Sequence, residues 1–222
     1  MASTLERAQG VAAPETVNSP GYRGFHSAQM FEQGFSFSGF ERNKVWLNAG
    51  GRFVDVSDVS GADNPNDSRA AIAADFDDDG DEDLFVHNIQ RERHNLYRND
   101  VVDPSGAGFL KLRLRATRGQ HEAIGATVRV SCGGRKVSRS LARGDGFLSC
   151  APPELVFGLG GAAQAEVEVA WPGGARESFG AVAAGTRALL VEGAGRPEPF
   201  AARPRALPDP PLEGLRVRIG EL

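Results

Sequence analysis

Apolar and polar residues alternate with a period of two through much of the second half of the chain. Leucines alternate with Lys111 and two arginines over residues 110–115, and similar alternation occurs over 124–130 and 167–171. Side chains of a β-strand point alternately to its two faces, so this pattern predicts half-buried antiparallel strands with one apolar and one basic face. The strand lengths and the glycine turns between them predict a small β-sandwich over residues 106–194.

The first half has shorter apolar runs. Residues 42–48 and 52–56 predict the two strands of a hairpin, with Ala49-Gly50-Gly51 as its turn. A polar loop is expected over 57–68, and strands are expected at 84–87 and 95–99. These elements form the first predicted unit, residues 21–105. We interpret residues 1–20 as a flexible lead-in and residues 195–222 as a proline-rich tail, in which 215–219 alternates again and could add an edge strand.

The short segment from Asp75 to Asp83 has the most unusual composition in the chain. Seven of its nine residues are Asp or Glu, and apolar residues flank it on both sides. Close carboxylates repel each other by roughly 1–4 kcal/mol per pair, so a folded chain normally neutralises such a loop with a hard cation. Oxygen donors fall at alternate positions with Gly80 at the sixth, as in calcium loops. The predicted ligands of a structural Ca²⁺ are Asp75, Asp77, Asp79, Asp81 and Asp83. A solvated acidic turn is the alternative.

The loop does not fit an EF-hand. Val86 occupies the twelfth position, where an EF-hand has a bidentate Glu, and a strand-like run follows where a helix would be expected. Together with Trp46-Leu47-Asn48 and Leu96-Tyr97-Arg98-Asn99, the loop resembles one FG-GAP/VCBS-type repeat, the unit of calcium-binding propeller blades. A closed propeller needs several blades, so the chain is expected to hold a single blade-like unit.

The second half resembles the ASPIC/UnbV domain. Three motifs carry the resemblance: residues 123–130 (AIGATVRV), 157–160 (FGLG) and 169–174 (VAWPGG). This family includes cartilage acidic protein and proteins encoded in enediyne biosynthetic clusters. The expected fold class is therefore mostly β, with a single propeller-blade-like calcium-loop unit packed on an antiparallel β-sandwich.

Charge is unevenly distributed along the chain. Residues 1–105 hold 9 Lys+Arg against 18 Asp+Glu, whereas residues 106–194 hold 11 against 7, so the two parts could attract each other. No basic stripe with interleaved aromatics indicates nucleic-acid binding, and no apolar run is long enough to span a membrane. The first ten residues lack the apolar region of a secretory signal, which predicts a cytoplasmic protein. Cys132 and Cys150 are expected to be reduced thiols, with a disulfide between them as the alternative, and Cys150 is expected to be buried and inert.

Candidate catalytic residues cluster just after the acidic loop. His87, Arg93 and His94 could supply an acid/base pair and an anion clamp, although a solvated loop fits the same residues. Glu32 lies in a segment rich in aromatic residues and glycine, and it could face the same cleft.

Two function classes fit these features. The resemblance to enediyne-cluster proteins implies an enzyme that cyclises a polycyclic polyketide or forms a C–C bond in it, with calcium in a structural role. The alternative is a non-catalytic, calcium-dependent module that binds a protein or a glycan. The expected partner is a small aromatic or polyketide substrate in the first case, and a homo-oligomer is possible in both.

Overall fold

The structure, a computed structural model, describes residues 41–89, 93–100, 108–144 and 146–200. These residues are mostly β, which confirms the predicted fold class. The predicted lead-in, Glu32 and its aromatic segment, and the alternating run at 215–219 lie outside the described residues.

The chain divides into two compact units. The first comprises Met1–Arg69 and Val86–Asn95, and the second comprises Ala70–Phe85 and Leu96–Leu222. The sequence-based boundary near residue 105 was drawn from composition and periodicity. The observed division follows contacts, and it groups the acidic loop with the predicted sandwich.

The first unit contains the predicted hairpin. Strands β1 (Trp46–Ala49) and β2 (Arg52–Asp55) pair antiparallel, with Trp46 opposite Asp55, which confirms this prediction. The polar loop expected over 57–68 begins instead with a one-turn helix, α1 (Ser57–Ser60). The side chain of Asp55 accepts hydrogen bonds from the backbone N–H and the hydroxyl of Ser57, which bend the chain into this turn.

A three-stranded sheet follows in the chain. Its strands are β3 (Ser68–Ala74), β4 (Asp83–Asn88) and β5 (Asn95–Tyr97), in the order β3-β4-β5. The apolar approach to the acidic loop is therefore itself a strand, and the acidic loop joins β3 to β4.

The second unit contains two four-stranded sheets. One has the order β11-β10-β7-β8 and the other the order β13-β12-β6-β9. Their strands are β6 (Gly108–Arg115), β7 (Thr127–Cys132), β8 (Arg135–Ser140), β9 (Glu154–Gly160), β10 (Gln164–Ala170), β11 (Arg176–Ala183), β12 (Thr186–Val191) and β13 (Glu198–Pro199).

The two sheets share one apolar core, as the period-two pattern predicts for a sandwich. Fully buried side chains come from alternate positions of strands in both sheets, and they include Leu110, Leu112, Val128, Val130, Val167, Val169 and Leu190. One pairing departs from the antiparallel prediction, because β6 runs parallel to β12, with Leu112 opposite Ala188.

Some strand limits differ from the prediction. The predicted strand from Ile124 begins only at Thr127, because Ala123 and Gly125 have φ angles of 55° and 90° and turn the chain. Residues 158–160 of the FGLG motif form the end of β9. One of the glycine turns, Gly133-Gly134, lies between β7 and β8, where both glycines have positive φ as a tight hairpin requires.

Candidate metal centre in the acidic loop

The acidic loop is held tightly against strand β6. Gly80, at the sixth position, has a φ of +111° and lies directly on the ring of Phe109. A Cβ at this position would overlap the ring, so both the backbone conformation and the packing require glycine. The turn glycine predicted from the calcium-loop spacing is therefore also the point where the loop packs on the sheet.

Carboxylates of the loop converge. Asp75, Asp77 and Asp79 each offer an oxygen, and these atoms all lie within 4.8 Å of one another. The Oδ1 atoms of Asp75, Asp77 and Asp81 are buried, and none has a hydrogen-bond partner among the described residues. The Asp75 side chain is fully buried. Buried polar atoms are nearly always paired in folded proteins, so these three carboxylate oxygens are candidate ligands for a cation.

The buried ammonium of Lys111 neutralises one side of the loop. Its Nζ lies 3.2 Å from Oδ2 of Asp75, 2.6 Å from Oδ1 of Asp78 and 3.2 Å from a carboxylate oxygen of Glu154. Burial by itself would lower the pKa of Lys111, but the hydrogen bond to Asp78 and the charge of Glu154 outweigh burial and raise that pKa. Lys111 therefore remains a cation, and it leaves Oδ1 of Asp75 for another partner.

Asp78 serves as the anchor of the loop. Besides its contact with Lys111, its backbone carbonyl accepts a hydrogen bond from Arg187, and its carboxylate lies 3.7 Å from the guanidinium of that residue. The φ angle of Asp78 is 63°, a left-handed conformation that is uncommon outside glycine. These contacts hold the loop on β6 and β12.

Asp83 closes the loop. It is almost fully buried, and its two oxygens accept hydrogen bonds from the backbone N–H groups of Phe76, at 3.0 Å, and Asn99, at 2.8 Å. These bonds give Asp83 a role in fixing the loop ends, which differs from the ligand role predicted from spacing.

The electrostatics of the loop are unfavourable without a further cation. Burial raises the pKa of Asp81 to about 7, and repulsion by Asp79 and Asp83 adds to the effect. Burial also raises the pKa of Asp75 and of Asp77. Carboxylate oxygens are the ligands that Ca²⁺ prefers, so the side chains of Asp75, Asp77, Asp79 and Asp81 fit this ion.

The predicted catalytic cluster lies in the first unit. The rings of His87 and His94 are 4.6 Å apart between centroids, and both residues are exposed. Nδ1 of His94 accepts a hydrogen bond from the backbone N–H of Asn88, while the Asn88 amide donates to the carbonyl of Arg93 and to the side chain of Asn95, both at 2.6 Å. The structure thus brings the two histidines together, and buried Asn88 connects β4 to residues 93–95 through these hydrogen bonds.

Several residues of the site were missed by sequence reasoning. Lys111 was assigned to the basic outer face of β6, and this was wrong, because the acidic loop packs over this residue and leaves it only 3% exposed, while Arg113 and Arg115 on the same face stay exposed. Arg187 and Phe109 were not singled out at all. The signal in the sequence was the uneven charge, with an excess of acidic residues over 1–105 and of basic residues over 106–194. This distribution predicts attraction between the two parts but does not identify the residues that pair.

The cysteines are both free, as expected for reduced thiols. The prediction that Cys150 is buried was wrong, because it lies in an exposed turn, where its sulfur accepts a hydrogen bond from the N–H of Gly144. Cys132 is half-buried against the core.

The chain can now be compared with known protein families. Residues 116–197 match the family described as ASPIC and UnbV. The match covers β7 to β12 and supports the resemblance seen in the second half of the chain. It leaves out the acidic loop and Lys111, which precede it. Among curated proteins, none is significantly similar to the chain.

The described residues contain no helix with the length and apolar character needed to cross a membrane.

Proposed function

We propose that this chain is a calcium-dependent binding module, in which Asp75, Asp77, Asp79 and Asp81 hold Ca²⁺ and the ion fixes the acidic loop against β6. The three buried carboxylate oxygens without hydrogen-bond partners carry this proposal. The loop contains only oxygen donors, which favours a hard cation over zinc. The unpaired oxygens belong to three different side chains of one turn, and Ca²⁺ accepts such irregular oxygen sets more readily than Mg²⁺, which requires a near-ideal octahedron.

The ion would add to the ion pairs by which the chain already neutralises part of the acidic loop. Lys111 and Arg187 neutralise Asp78 and one oxygen of Asp75, on the side of the loop that faces the sheet. Calcium would neutralise the carboxylates that these cations do not reach. Because the ion would bind the folded loop and not the unfolded chain, it would stabilise the second unit by mass action.

Thermal unfolding with added calcium or a chelator tests this proposal. At a calcium concentration of 100 times Kd, the free energy of unfolding should rise by about 2.7 kcal/mol. Asp79→Asn and Asp81→Asn should lose most of this gain. Glu168→Gln, which removes an exposed charge from β10, is the matched control and should keep it. An identical melting temperature in millimolar calcium and in chelator would overturn the proposal.

A second candidate function is favoured by the two histidines whose rings lie 4.6 Å apart on the surface of the first unit. In this alternative the protein positions a polycyclic polyketide intermediate of the enediyne type, and His87 or His94 moves a proton during cyclisation or C–C bond formation. Arg93 and Glu32, which the sequence also predicted for this site, would bind or orient the substrate.

The enzyme hypothesis has its own test. Purified protein is incubated with polyketide intermediates, and products are separated by chromatography and identified by mass. Cyclisation without loss of atoms would appear as a new peak of unchanged mass, absent with His87→Ala or His94→Ala. If no intermediate is converted, the enzyme hypothesis is wrong, and the calcium proposal is not affected.

A further inference from the structure

A groove of about 590 Å³ runs through the second unit beside the acidic loop. One wall is the end of β3, residues 71–74, which leads directly into Asp75. Residues 154–156 at the start of β9 form another wall. Its volume lies within the range of ligand-binding clefts in proteins.

The strands on these two walls have open edges. In the part of the chain that the structure describes, β3 pairs only with β4, and β9 pairs only with β6, so each is the outer strand of its sheet. An open strand edge presents unpaired backbone N–H and C=O groups that can pair with another strand. Four residues of β3 give roughly 13 Å of such an edge. The small side chains at Ala71, Ala73 and Ala74 allow a second backbone to approach closely.

Apolar side chains stand exposed where the groove meets the turn after β8. Gly146 and Ser149 line the groove, and between them Phe147 is 63% exposed and Leu148 is 94% exposed. Leu148 also has a φ of +48°, which is strained for a bulky residue. Strained backbone and exposed apolar groups both concentrate at ligand-binding surfaces.

Polar groups in the groove suit an extended backbone with basic side chains. The hydroxyl of Ser149 is buried without a hydrogen-bond partner among the described residues. The acidic residues Asp75, Glu82 and Glu154 line the groove together with one arginine, Arg139, and the carboxylate of Asp75 is itself fully buried. Lys111 and Arg113 contact Glu154, so Glu82, which lies 3.5 Å from Arg139, is the carboxylate most available to a ligand.

We propose that this groove binds an extended peptide segment of a partner protein, in which apolar residues alternate with basic ones. The peptide backbone pairs with the open edge of β3 or β9, its apolar side chains pack on the floor of the groove and on Leu148, and its basic side chains face Glu82. Strand addition of this kind takes affinity from main-chain hydrogen bonds and specificity from alternate side chains.

The inference rests on the proposed function in one respect. Asp75 and Glu82 belong to the acidic loop and also line the groove. A cation that fixes the loop therefore fixes part of the groove wall, and peptide binding should require calcium.

Fluorescence anisotropy with a synthetic probe tests the proposal on the full chain. The probe is a labelled peptide, Val-Arg-Val-Arg-Val-Arg, with blocked ends, measured in millimolar calcium. We expect saturable binding, at least tenfold tighter than that of Val-Glu-Val-Glu-Val-Glu. Two further peptides carry N-methyl groups on all valines or on all arginines. At least one of them should fail to bind, because alternate amides of a strand face the same edge.

Matched variants locate the binding. Leu148→Gly, which also relieves the positive φ, and Glu82→Gln should each weaken binding several-fold. Ile124→Gly, at an exposed apolar residue elsewhere in the unit, and Glu168→Gln should not. Equal effects of the test and control variants would overturn the proposal, as would unchanged binding of both N-methylated peptides.

The outcomes also separate this inference from the proposed function. A calcium-dependent melting temperature without peptide binding overturns the groove proposal alone. If the peptide binds equally tightly in chelator, the groove is supported as a peptide-binding site, and the proposed calcium requirement of peptide binding is wrong. If the protein is a dimer that the peptide converts to monomers, the natural occupant is a second copy of the chain, and the proposal of a separate partner is wrong.

Discussion

Two segments lie at the two ends of strand β4, and both are dense in ionisable or polar groups. The acidic loop at its start has buried carboxylate oxygens without hydrogen-bond partners among the described residues. The segment at its C-terminal end has the exposed residues His87 and His94, and the buried side-chain amide of Asn88 is hydrogen-bonded to Arg93, Asn95 and Ser68. The first segment leaves buried carboxylate oxygens unpaired among the described residues, whereas the second satisfies its own buried polar group.

This difference shows what distinguishes a candidate site from a polar turn. Sequence composition marks both segments equally, because it counts functional groups without showing which are desolvated. Burial makes an unpaired carboxylate costly, whereas an exposed imidazole is solvated by water. A ligand site is therefore better supported in the acidic loop than around His87 and His94.

The largest expected effect comes from removing the internal cation of the loop. Lys111→Met leaves Asp75 and Glu154 buried without their ammonium partner, and loss of one member of a buried ion pair costs about 3–5 kcal/mol. Chemical denaturation in chelator should show this loss in the free energy of unfolding. Lys136→Met, at an exposed position of β8, is the control and should change stability little. Equal stability of the two variants would mean that Lys111 does not support the loop.

A smaller but substantial effect is expected at the turn of the loop. Gly80→Ala places a Cβ into the ring of Phe109 and also forces a positive φ on a residue with a side chain. The backbone term costs about 1–2 kcal/mol and the overlap about 1–3 kcal/mol more. Gly134→Ala also has a positive φ but open space around its Cβ, so it isolates the backbone term. If both variants lose the same stability, packing on Phe109 does not shape the loop.

The pH dependence of stability should report the crowded carboxylates. In chelator, the pKa of Asp81 is about 7 in the folded state against 3.8 in the unfolded state, because of burial first and repulsion second. The folded state therefore binds the proton more tightly, and stability should fall as the pH rises from about 4 through 7. Asp81→Asn should reduce this slope. An unchanged slope in the variant would exclude Asp81 as its source.

Glu192 provides a contrast of opposite sign. The largest influence on its carboxylate is a hydrogen bond from the backbone N–H of Arg118, which lowers the pKa below 4.5. Desolvation opposes this shift, and a second hydrogen bond from the backbone N–H of Thr117 adds to it. Its stabilising contribution is present above that pH and is lost only as the pH falls further. The pH range over which Glu192 loses its contribution overlaps that of Asp81 only below about 4.5, so the slope between about 5 and 7 belongs to the loop.

The smallest effects are expected at the C-terminal end of β4. His87→Ala and His94→Ala should each change the free energy of unfolding by less than about 1 kcal/mol, because both residues are exposed. Neither should alter the melting-temperature shift produced by calcium. A loss of that shift in either variant would link the segment to the ion and remove the contrast between the two.

The sequence predicted the sandwich well for a physical reason. Alternation of leucines with basic residues in β6 and of valines with polar residues in β7 and β10 reflects the two faces of a strand, and each strand carries that signal by itself. The hairpin of β1 and β2 was visible for the same reason, with a glycine turn between two apolar runs.

What the sequence could not show are the contacts between segments that are far apart in the chain. The same alternation that identified β6 placed Lys111 on a solvent-facing side, and only the covering acidic loop, more than 30 residues earlier, makes it buried. The same holds for two aspartates of the loop. Asp78 anchors the loop through Arg187, and Asp83 fixes the loop ends through the backbone N–H of Asn99. Spacing within the loop could not separate these two aspartates from those that converge.

Calcium titration by isothermal calorimetry measures directly whether the acidic loop binds the ion. We expect saturable binding of about one Ca²⁺ per chain, with a Kd on the order of 10⁻⁵ to 10⁻³ M for a loop that lacks the bidentate Glu of an EF-hand. Asp79→Asn and Asp81→Asn should weaken this binding, and Glu168→Gln should not. An absence of binding heat at millimolar calcium, together with an unchanged melting temperature, would contradict the account and leave the loop an acidic turn held only by Lys111 and Arg187.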